Sequence, residues 1–263
     1  MSGTFLDNLI AVKRERIVRQ RIETDITRLR AAAYKRRATS DGQRLIDALN
    51  RKDRTNIIAE IKRASPSNGV INDQIDVADM SRQYRIGGAA AISVLTEEDY
   101  FKGSLDDLIA VREAVDLPIL RKDFIVDEFQ VFESAAAGAD VMLLIVAAQD
   151  EPQLSELYDL ITDDLGMDAI VEVHTPFELE TAARIGAKII GVNNRDLQTL
   201  EVSLDFSREL IPFRPPGSLM IAESGISTID EIGELKSLGY DGFLIGEMLM
   251  KTGDPAALLG EWV

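Results

Sequence analysis

The sequence predicts a fold of the α/β class, a single (β/α)8 barrel carrying a helical extension at its N-terminus. Three observations predict it. Eight short runs rich in Ile, Val, Leu or Ala alternate with eight helical patterns over residues 57–263, the length such a barrel needs. Glycines stand just after the helical patterns, at Gly87-Gly88, Gly138, Gly166, Gly186 and Gly239, where a left-handed residue commonly ends a helix. The first strand runs into Lys62-Arg63-Ala64-Ser65-Pro66-Ser67, which is not the glycine-rich turn that an open doubly wound sheet, the alternative architecture, would place there.

Residues 1–56 precede the alternation. Phe5, Leu9, Val12, Ile17, Ile22, Ile26 and Leu29 fall near helical spacing and predict two helices over 4–38, the second starting after Thr24-Asp25. A third short helix is expected over 43–50. The strands are read at 57–62, 90–95, 118–122, 140–146, 168–173, 188–192, 218–222 and 242–246. The helices are read at 75–86, 104–115, 128–137, 151–165, 176–186, 204–211, 228–238 and 255–262. No low-complexity tract or long linker interrupts the pattern, so 1–56 is read as part of the same domain as the barrel, 57–263.

Composition narrows the function. A chain of 263 residues that is 46% hydrophobic and 28% charged reads as one globular domain. No apolar run approaches the ~18 residues of a membrane span and no signal-peptide core opens the sequence, so no membrane association and a cytoplasmic location are expected. There is no cysteine and one histidine, His174, which removes thiolate chemistry and argues against a His-rich metal site. The net charge of −16 is uneven: residues 1–56 hold 14 basic and 7 acidic residues. Those cations interleave with helical apolar positions instead of massing, the pattern of a solvated helix face rather than a nucleic-acid surface. In the acidic remainder, Lys62, Arg63, Arg121, Lys122 and Arg195 all fall at the ends of predicted strands. That placement predicts a local positive pocket for an anionic small molecule.

The strand ends carry the chemistry. In Ile57-Ile58-Ala59-Glu60-Ile61-Lys62, strand alternation points Glu60 and Lys62 the same way, at the end of the barrel where ligands bind. A structural ion pair at the strand mouth is the competing reading. Leu120 and Lys122 share a face; if Leu120 fills the barrel, Lys122 opens into its mouth, where desolvation would lower its pKa and make it a proton donor near neutrality. A surface lysine is the alternative. Glu172 lies within the apolar run Ala169–Val173 and is expensive there unless paired or working in a cavity, which makes it the candidate base. His174 begins a loop, where local capping is the commoner fate. Asn193 and Arg195 share a face and suit hydrogen bonding and carboxylate binding, or else an Asn-rich turn. Ser224-Gly225 and Gly246-Glu247 put a glycine at the last two strand–helix junctions, where barrels often bind phosphate with backbone amides.

These stretches resemble one family. Ile58–Ser67, Ser93–Glu97, Phe101–Ser104, Leu120-Arg121-Lys122-Asp123-Phe124, Val171-Glu172-Val173-His174, Asn193-Asn194-Arg195-Asp196-Leu197 and Glu223-Ser224-Gly225-Ile226 are similar to the signature segments of indole-3-glycerol-phosphate synthase, in consistent order from about Phe5 to Lys251. The resemblance implies a TIM barrel with extra N-terminal helices. It also implies a cofactor-free carboxy-lyase of tryptophan synthesis that turns 1-(2-carboxyphenylamino)-1-deoxyribulose 5-phosphate into indole-3-glycerol phosphate, CO2 and water. It implies Lys122 as general acid, Glu172 as base of the dehydration, Lys62 as carboxylate ligand or second donor, Glu60 as its orienter, and Asn193 and Arg195 as the polar network, with Glu223 also in contact with substrate. Ser224, Gly225, Gly246 and the amide of Glu247 match phosphate positions. Ser65 and Pro66 line the mouth, and Leu95, Phe124 and Leu197 an apolar wall for the aminobenzoate ring.

The chain departs from the family pattern at Asn68 and Asn72, often basic there, at Glu128-Phe129 in place of Pro-Tyr, and at Glu247, where a carboxylate beside a phosphate should turn its side chain away. Two other functions compete: a phosphoribosyl isomerase barrel, which would want a Cys or Asp acid–base pair, and a barrel that only binds a sugar phosphate. Neither cofactor nor metal is needed when protonation makes a carbonyl electrophilic, and a monomer is expected, with a homodimer as the alternative.

Overall fold

The computed structural model describes residues 4–67, 69–196 and 199–263. Three helices come first: α1 (Phe5–Glu23), α2 (Ile26–Arg37) and α3 (Arg44–Leu49). Then follow β1 (Ile57–Ile61), α4 (Val77–Ile86), β2 (Ala91–Leu95), α5 (Leu105–Ala114), β3 (Ile119–Lys122), α6 (Glu128–Ala137), β4 (Val141–Ile145) and α7 (Glu151–Asp159). The second half is β5 (Asp168–Val173), α8 (Pro176–Arg184), β6 (Ile189–Asn193), α9 (Asp205–Leu210), β7 (Leu219–Glu223), α10 (Ile229–Leu238), β8 (Gly242–Ile245), α11 (Glu247–Lys251) and α12 (Pro255–Trp262). The eight long strands are parallel throughout and close in the order β1-β8-β7-β6-β5-β4-β3-β2. This is the (β/α)8 barrel that the alternation predicted, with each strand within a residue or two of its expected bounds. Among the described residues no helix is long and apolar enough to cross a membrane.

The strands were legible because parallel strands are covered on both faces and so read as continuous apolar runs. The two faces bury separate clusters. Ile58, Leu120, Leu143, Ile170, Ile221 and Leu244 belong to one, with Leu45 and Leu49 of α3. Ile57, Ala59, Ile92, Val94, Val171 and Ile190 belong to the other, against the surrounding helices. Helix starts follow capping chemistry: Asp25, Ser104, Asp127, Thr175 and Thr228 each accept a backbone N–H of the following first turn. Gly138 and Gly239 end their helices at φ 103° and 117°, whereas Gly87 keeps a right-handed φ of −69° and leaves the turn to Gly88. Beyond the expected pattern stand a hairpin of two-residue strands, Ala64–Ser65 and Gly69–Val70, after β1, 3-10 turns at Val146–Ala148 and Ile211–Phe213, and the short α11, while the end of the helix expected over 151–165 is π-helical at Leu160–Asp164.

The first three helices wrap the barrel from mouth to base. Lys13 of α1 is buried and ion-pairs with Asp123, the residue after β3, at 2.8 Å, and with Glu98 at 3.1 Å. The Phe5 ring meets Tyr100 edge-on at 4.9 Å between centroids. α2 lies along α6, with the Arg30 guanidinium 4.7 Å from the Phe132 ring centroid. Glu128, one of the departures from the family pattern, faces Arg21 and Arg30 of these helices at 3.6 and 3.4 Å. At the base, the Asp168 carboxylate accepts the N–H groups of Leu45 and Ile46, capping α3 from β5.

Candidate active site

A cavity opens at the C-terminal ends of the strands. Of the sequence-predicted site residues, Glu60, Lys62, Ser65, Pro66, Leu95, Lys122, Phe124, Glu172, Asn193, Arg195, Ser224, Gly225, Gly246 and Glu247 all line it. Glu223 stands directly behind Lys122. Leu197 and Asn68 lie outside the described residues.

Register explains the convergence. β3 pairs Leu95 with Lys122 across the β2 edge, β4 pairs Ile145 with Glu172, and β6 pairs Asn193 with Glu223. Each polar residue is the last inward position of its strand, above the apolar plug. Lys122 Nζ sits between two carboxylates, 2.9 Å from Glu172 Oε2 and 3.0 Å from Glu223 Oε2. Lys62 Nζ is 2.8 Å from Glu60 Oε1. Asn193 Nδ2 donates to Glu172 Oε1 at 3.0 Å. Arg195 sits at the rim, donating from Nη1 to Ser67 Oγ and to the Leu200 carbonyl, while its own N–H is accepted by Asn193 Oδ1.

The electrostatics correct one expectation. Burial alone would lower the Lys122 pKa, as the sequence reading supposed, but Glu172, Glu223 and Glu60 outweigh it and raise the value above the ordinary lysine range. The same burial would raise Glu172, which Lys122, His174 and Asn193 instead hold below the ordinary carboxylate range. Glu223 goes the other way: burial, reinforced by Glu172 and Glu60 against the pull of Lys122, pushes it up to about 7. The mouth thus holds a charged lysine, a charged glutamate and, in Glu223, a second carboxyl raised toward neutrality.

The pool of five cations also needs correction. Lys62, Lys122 and Arg195 reach the cavity. Arg121 points outward by alternation and is locked to Asp123 at 3.1 Å and Glu133 at 2.8 Å. Arg63 turns onto Asp107 of α5, its Nη2 2.9 Å from Oδ1. Three of the five cations reach the mouth, and Glu60, Glu172 and Glu223 pair with its two lysines, so the pocket as a whole is not the positive one expected.

Two glycines act through the space they leave. A Cβ on Gly191 would lie 2.0 Å from Glu223 Oε1, and one on Gly246 would lie 2.5 Å from Glu60 Oε1. Gly246 therefore seats a carboxylate as well as flanking the expected phosphate position. On the opposite junction Ser224 and Gly225 take positive φ of 66° and 78°, turning the backbone tightly at the end of β7. The Glu247 carboxylate is held by Lys251 at 2.5 Å along its own helix. Sequence reasoning missed Gly191 and also Phe5 and Phe101, which add aromatic walls from α1 and the β2 loop.

His174 fulfils the local reading in part. Its backbone N–H and its Nδ1 both face Glu178 Oε2, at 2.7 and 3.2 Å. Its Nε2, however, is turned inward, 3.4 Å from Glu172 Oε1.

Comparison with known proteins agrees with this geometry. The family model described as indole-3-glycerol phosphate synthase matches residues 6–261. The protein of that name from Laribacter hongkongensis is 44% identical over 256 residues, covering 97% of both chains. That from Leifsonia xyli is 45% identical over 262 residues, covering 100% of this chain and 99% of its own. A solved thiamine phosphate pyrophosphorylase from Pyrococcus furiosus superposes with a TM-score of 0.59 at 17% identity, over 79% of this chain and 93% of its own, a likeness of fold alone. Near-complete coverage by the family model and by relatives at this identity leaves one assignment: the chain belongs to the indole-3-glycerol phosphate synthase family.

Proposed function

We propose that the mouth of this barrel closes the indole ring of indole-3-glycerol phosphate by proton transfer alone. The observation that carries the reading is the Lys122 ammonium held between Glu172 and Glu223. Lys122 gives its proton to the ketone oxygen of 1-(2-carboxyphenylamino)-1-deoxyribulose 5-phosphate while the carboxylate-bearing ring carbon attacks the carbonyl carbon. A raised lysine pKa suits this step, because the group must be charged when substrate arrives and the oxygen becomes strongly basic as the bond forms. Loss of CO2 then restores aromaticity. In the dehydration, Glu172 removes a proton from the neighbouring methylene carbon, and the hydroxyl leaves as water with a second proton from a lysine, Lys62 or a recharged Lys122. Two protons go onto the departing oxygen and one returns to Glu172, so each turnover consumes one proton, balanced by the carboxylate that leaves as neutral CO2.

The other site residues fall into place around this chemistry. Glu60 orients Lys62, Asn193 fixes the Glu172 carboxylate, and Arg195 with Ser65 and Pro66 frames the mouth. Leu95 and Phe124, joined by Phe5 and Phe101, face the aminobenzoate ring, while the Ser224-Gly225 and Gly246-Glu247 junctions receive the phosphate. A doubly charged phosphate does not cross bilayers, so the enzyme works where its substrate is made, in the cytoplasm. Fluorescent product formation tests the assignment. Lys122→Met and Glu172→Gln are expected to fold and to lose about 10²–10⁴-fold in kcat, and near-parental turnover by either would refute its role.

A further inference from the structure

Resting on that reaction, the surroundings of Glu172 raise a question of proton supply. After ring closure Lys122 is a neutral amine and the intermediate still fills the mouth. Its reprotonation must come through a neighbour. Glu172 touches Lys122 with Oε2, and its other oxygen, Oε1, has two polar neighbours, Asn193 Nδ2 at 3.0 Å and His174 Nε2 at 3.4 Å. An amide does not give up a proton near neutral pH; an imidazolium does.

The imidazole is set up for this. Its Nε2 is buried and lacks a hydrogen-bond partner, while Nδ1 is held by Glu178, whose carboxylate is itself fixed by the His174 backbone N–H. Glu178 is the third residue of α8, where a glutamate ordinarily folds back onto the cap residue's N–H. Here it reaches one residue further, to the histidine. Both side chains retain some exposure, 12% and 16%, whereas Glu172 and Glu223 have almost none. His174 and Glu178 thus form the partly wet end of a chain that runs inward to Glu172 and Lys122. The charged groups facing the imidazole are Glu172 on its own strand, Glu178 on α8 and Glu223 on β7. Against the effect of burial, they raise its pKa and favour the imidazolium.

We propose that His174, oriented by Glu178, delivers the proton consumed in each turnover to Glu172 and through it to Lys122, between ring closure and dehydration. The Nε2–H bond breaks as an O–H bond forms on Glu172 Oε1. Glu172 then passes a proton to the Lys122 amine, and is again a carboxylate when the methylene proton must be removed. Nδ1–H stays hydrogen-bonded to Glu178 throughout, and the neutral imidazole left behind is recharged at Nε2 by a buffer acid once product has left the mouth.

The test is His174→Gln, followed by product fluorescence across pH and across buffer concentration. The expected result is a kcat about 10-fold below the parent, recovering as imidazole buffer is added, with KM nearly unchanged. In the parent, kcat should fall as pH rises through the His174 pKa, above its ordinary value of 6.5, and this limb should vanish in the variant. Parental kcat with no buffer dependence would overturn the proposal, and so would a loss accompanied by raised KM and no rescue. Glu178→Gln offers a second reading that keeps the histidine: its descending limb should move to lower pH, and an unmoved limb counts against the relay. Absence of turnover in the parent would overturn the assigned reaction itself, whereas parental turnover with a buffer-insensitive variant overturns only the proton route.

Discussion

Gly191 offers the sharpest test of how the site is held. It sits within β6 beside Glu172, and the place where its side chain would stand is filled by the Glu223 carboxylate. In Gly191→Ala the new methyl would lie 2.0 Å from Glu223 Oε1, 3.1 Å from its Cδ and 3.0 Å from Ile170 Cγ2. An unstrained carbon–oxygen contact is roughly 3.3 Å, so the carboxylate must retreat by roughly 1.3 Å. The flanking Ile170 and Glu172 are fully buried and leave it little room. Glu223 now approaches Lys122 to 3.0 Å, and the retreat pulls away one of the two carboxylates that centre the ammonium. Overpacking of this kind costs about 1–3 kcal/mol of stability, while a 1 Å misplacement at a reacting group costs on the order of 10²-fold in rate. Urea unfolding and steady-state fluorescence read the two effects separately. If the folded variant turned over at the parental rate, Glu223 would have no part in positioning Lys122, however much stability had been lost.

Gly233 supplies the contrast. It lies inside α10 with nothing within 4 Å of a built Cβ, so Gly233→Ala should raise stability by about 1 kcal/mol and leave kcat alone; a lowered urea midpoint would contradict that. Lys13→Met should destabilise by about 3 kcal/mol, the lower end for half of a buried ion pair, because Asp123 keeps Arg121 and Thr96; an unchanged midpoint would show that the Lys13–Asp123 pair does not hold α1. Burial would raise the Asp123 pKa, but Lys13 and Arg121 depress it. Its contribution to stability is therefore present above the ordinary value of 3.8 and lost as pH falls through the folded one, a limb that Lys13→Met should weaken in acid titrations of the unfolding midpoint. Since protonation makes the ketone electrophilic, turnover should be indifferent to EDTA, and a loss that Mg²⁺ restores would contradict the mechanism.

Much of this architecture was legible because barrel strands announce themselves twice, as apolar runs and as charged residues where those runs end. Alternation placed Lys122 inward beside Leu120 and, applied consistently, would also have sent Arg121 outward. The same alternation, carried one residue past Lys62, would have sent Arg63 outward to Asp107. The direction of the Lys122 shift was not readable from its own neighbourhood, since Glu172 and Glu223 arrive from strands far along the chain. Gly191 gave no local signal either; what its missing side chain admits comes from β7. The hairpin after β1 was hidden because Ser65-Pro66-Ser67 reads as a plain turn, and Phe5 because an aromatic on a basic helix looks like ordinary packing.

The tether between Lys13 and Asp123 has a consequence for biosynthesis. The helix bearing Lys13 leaves the ribosome some 110 residues ahead of its anchor Asp123, a wait on the order of ten seconds at ordinary elongation rates. Until then Lys13 has at most Glu98, which emerges earlier, to pair with. A helix made ahead of the barrel is thus obliged to settle late, and Phe5 meets the Tyr100 ring only after the second strand has emerged.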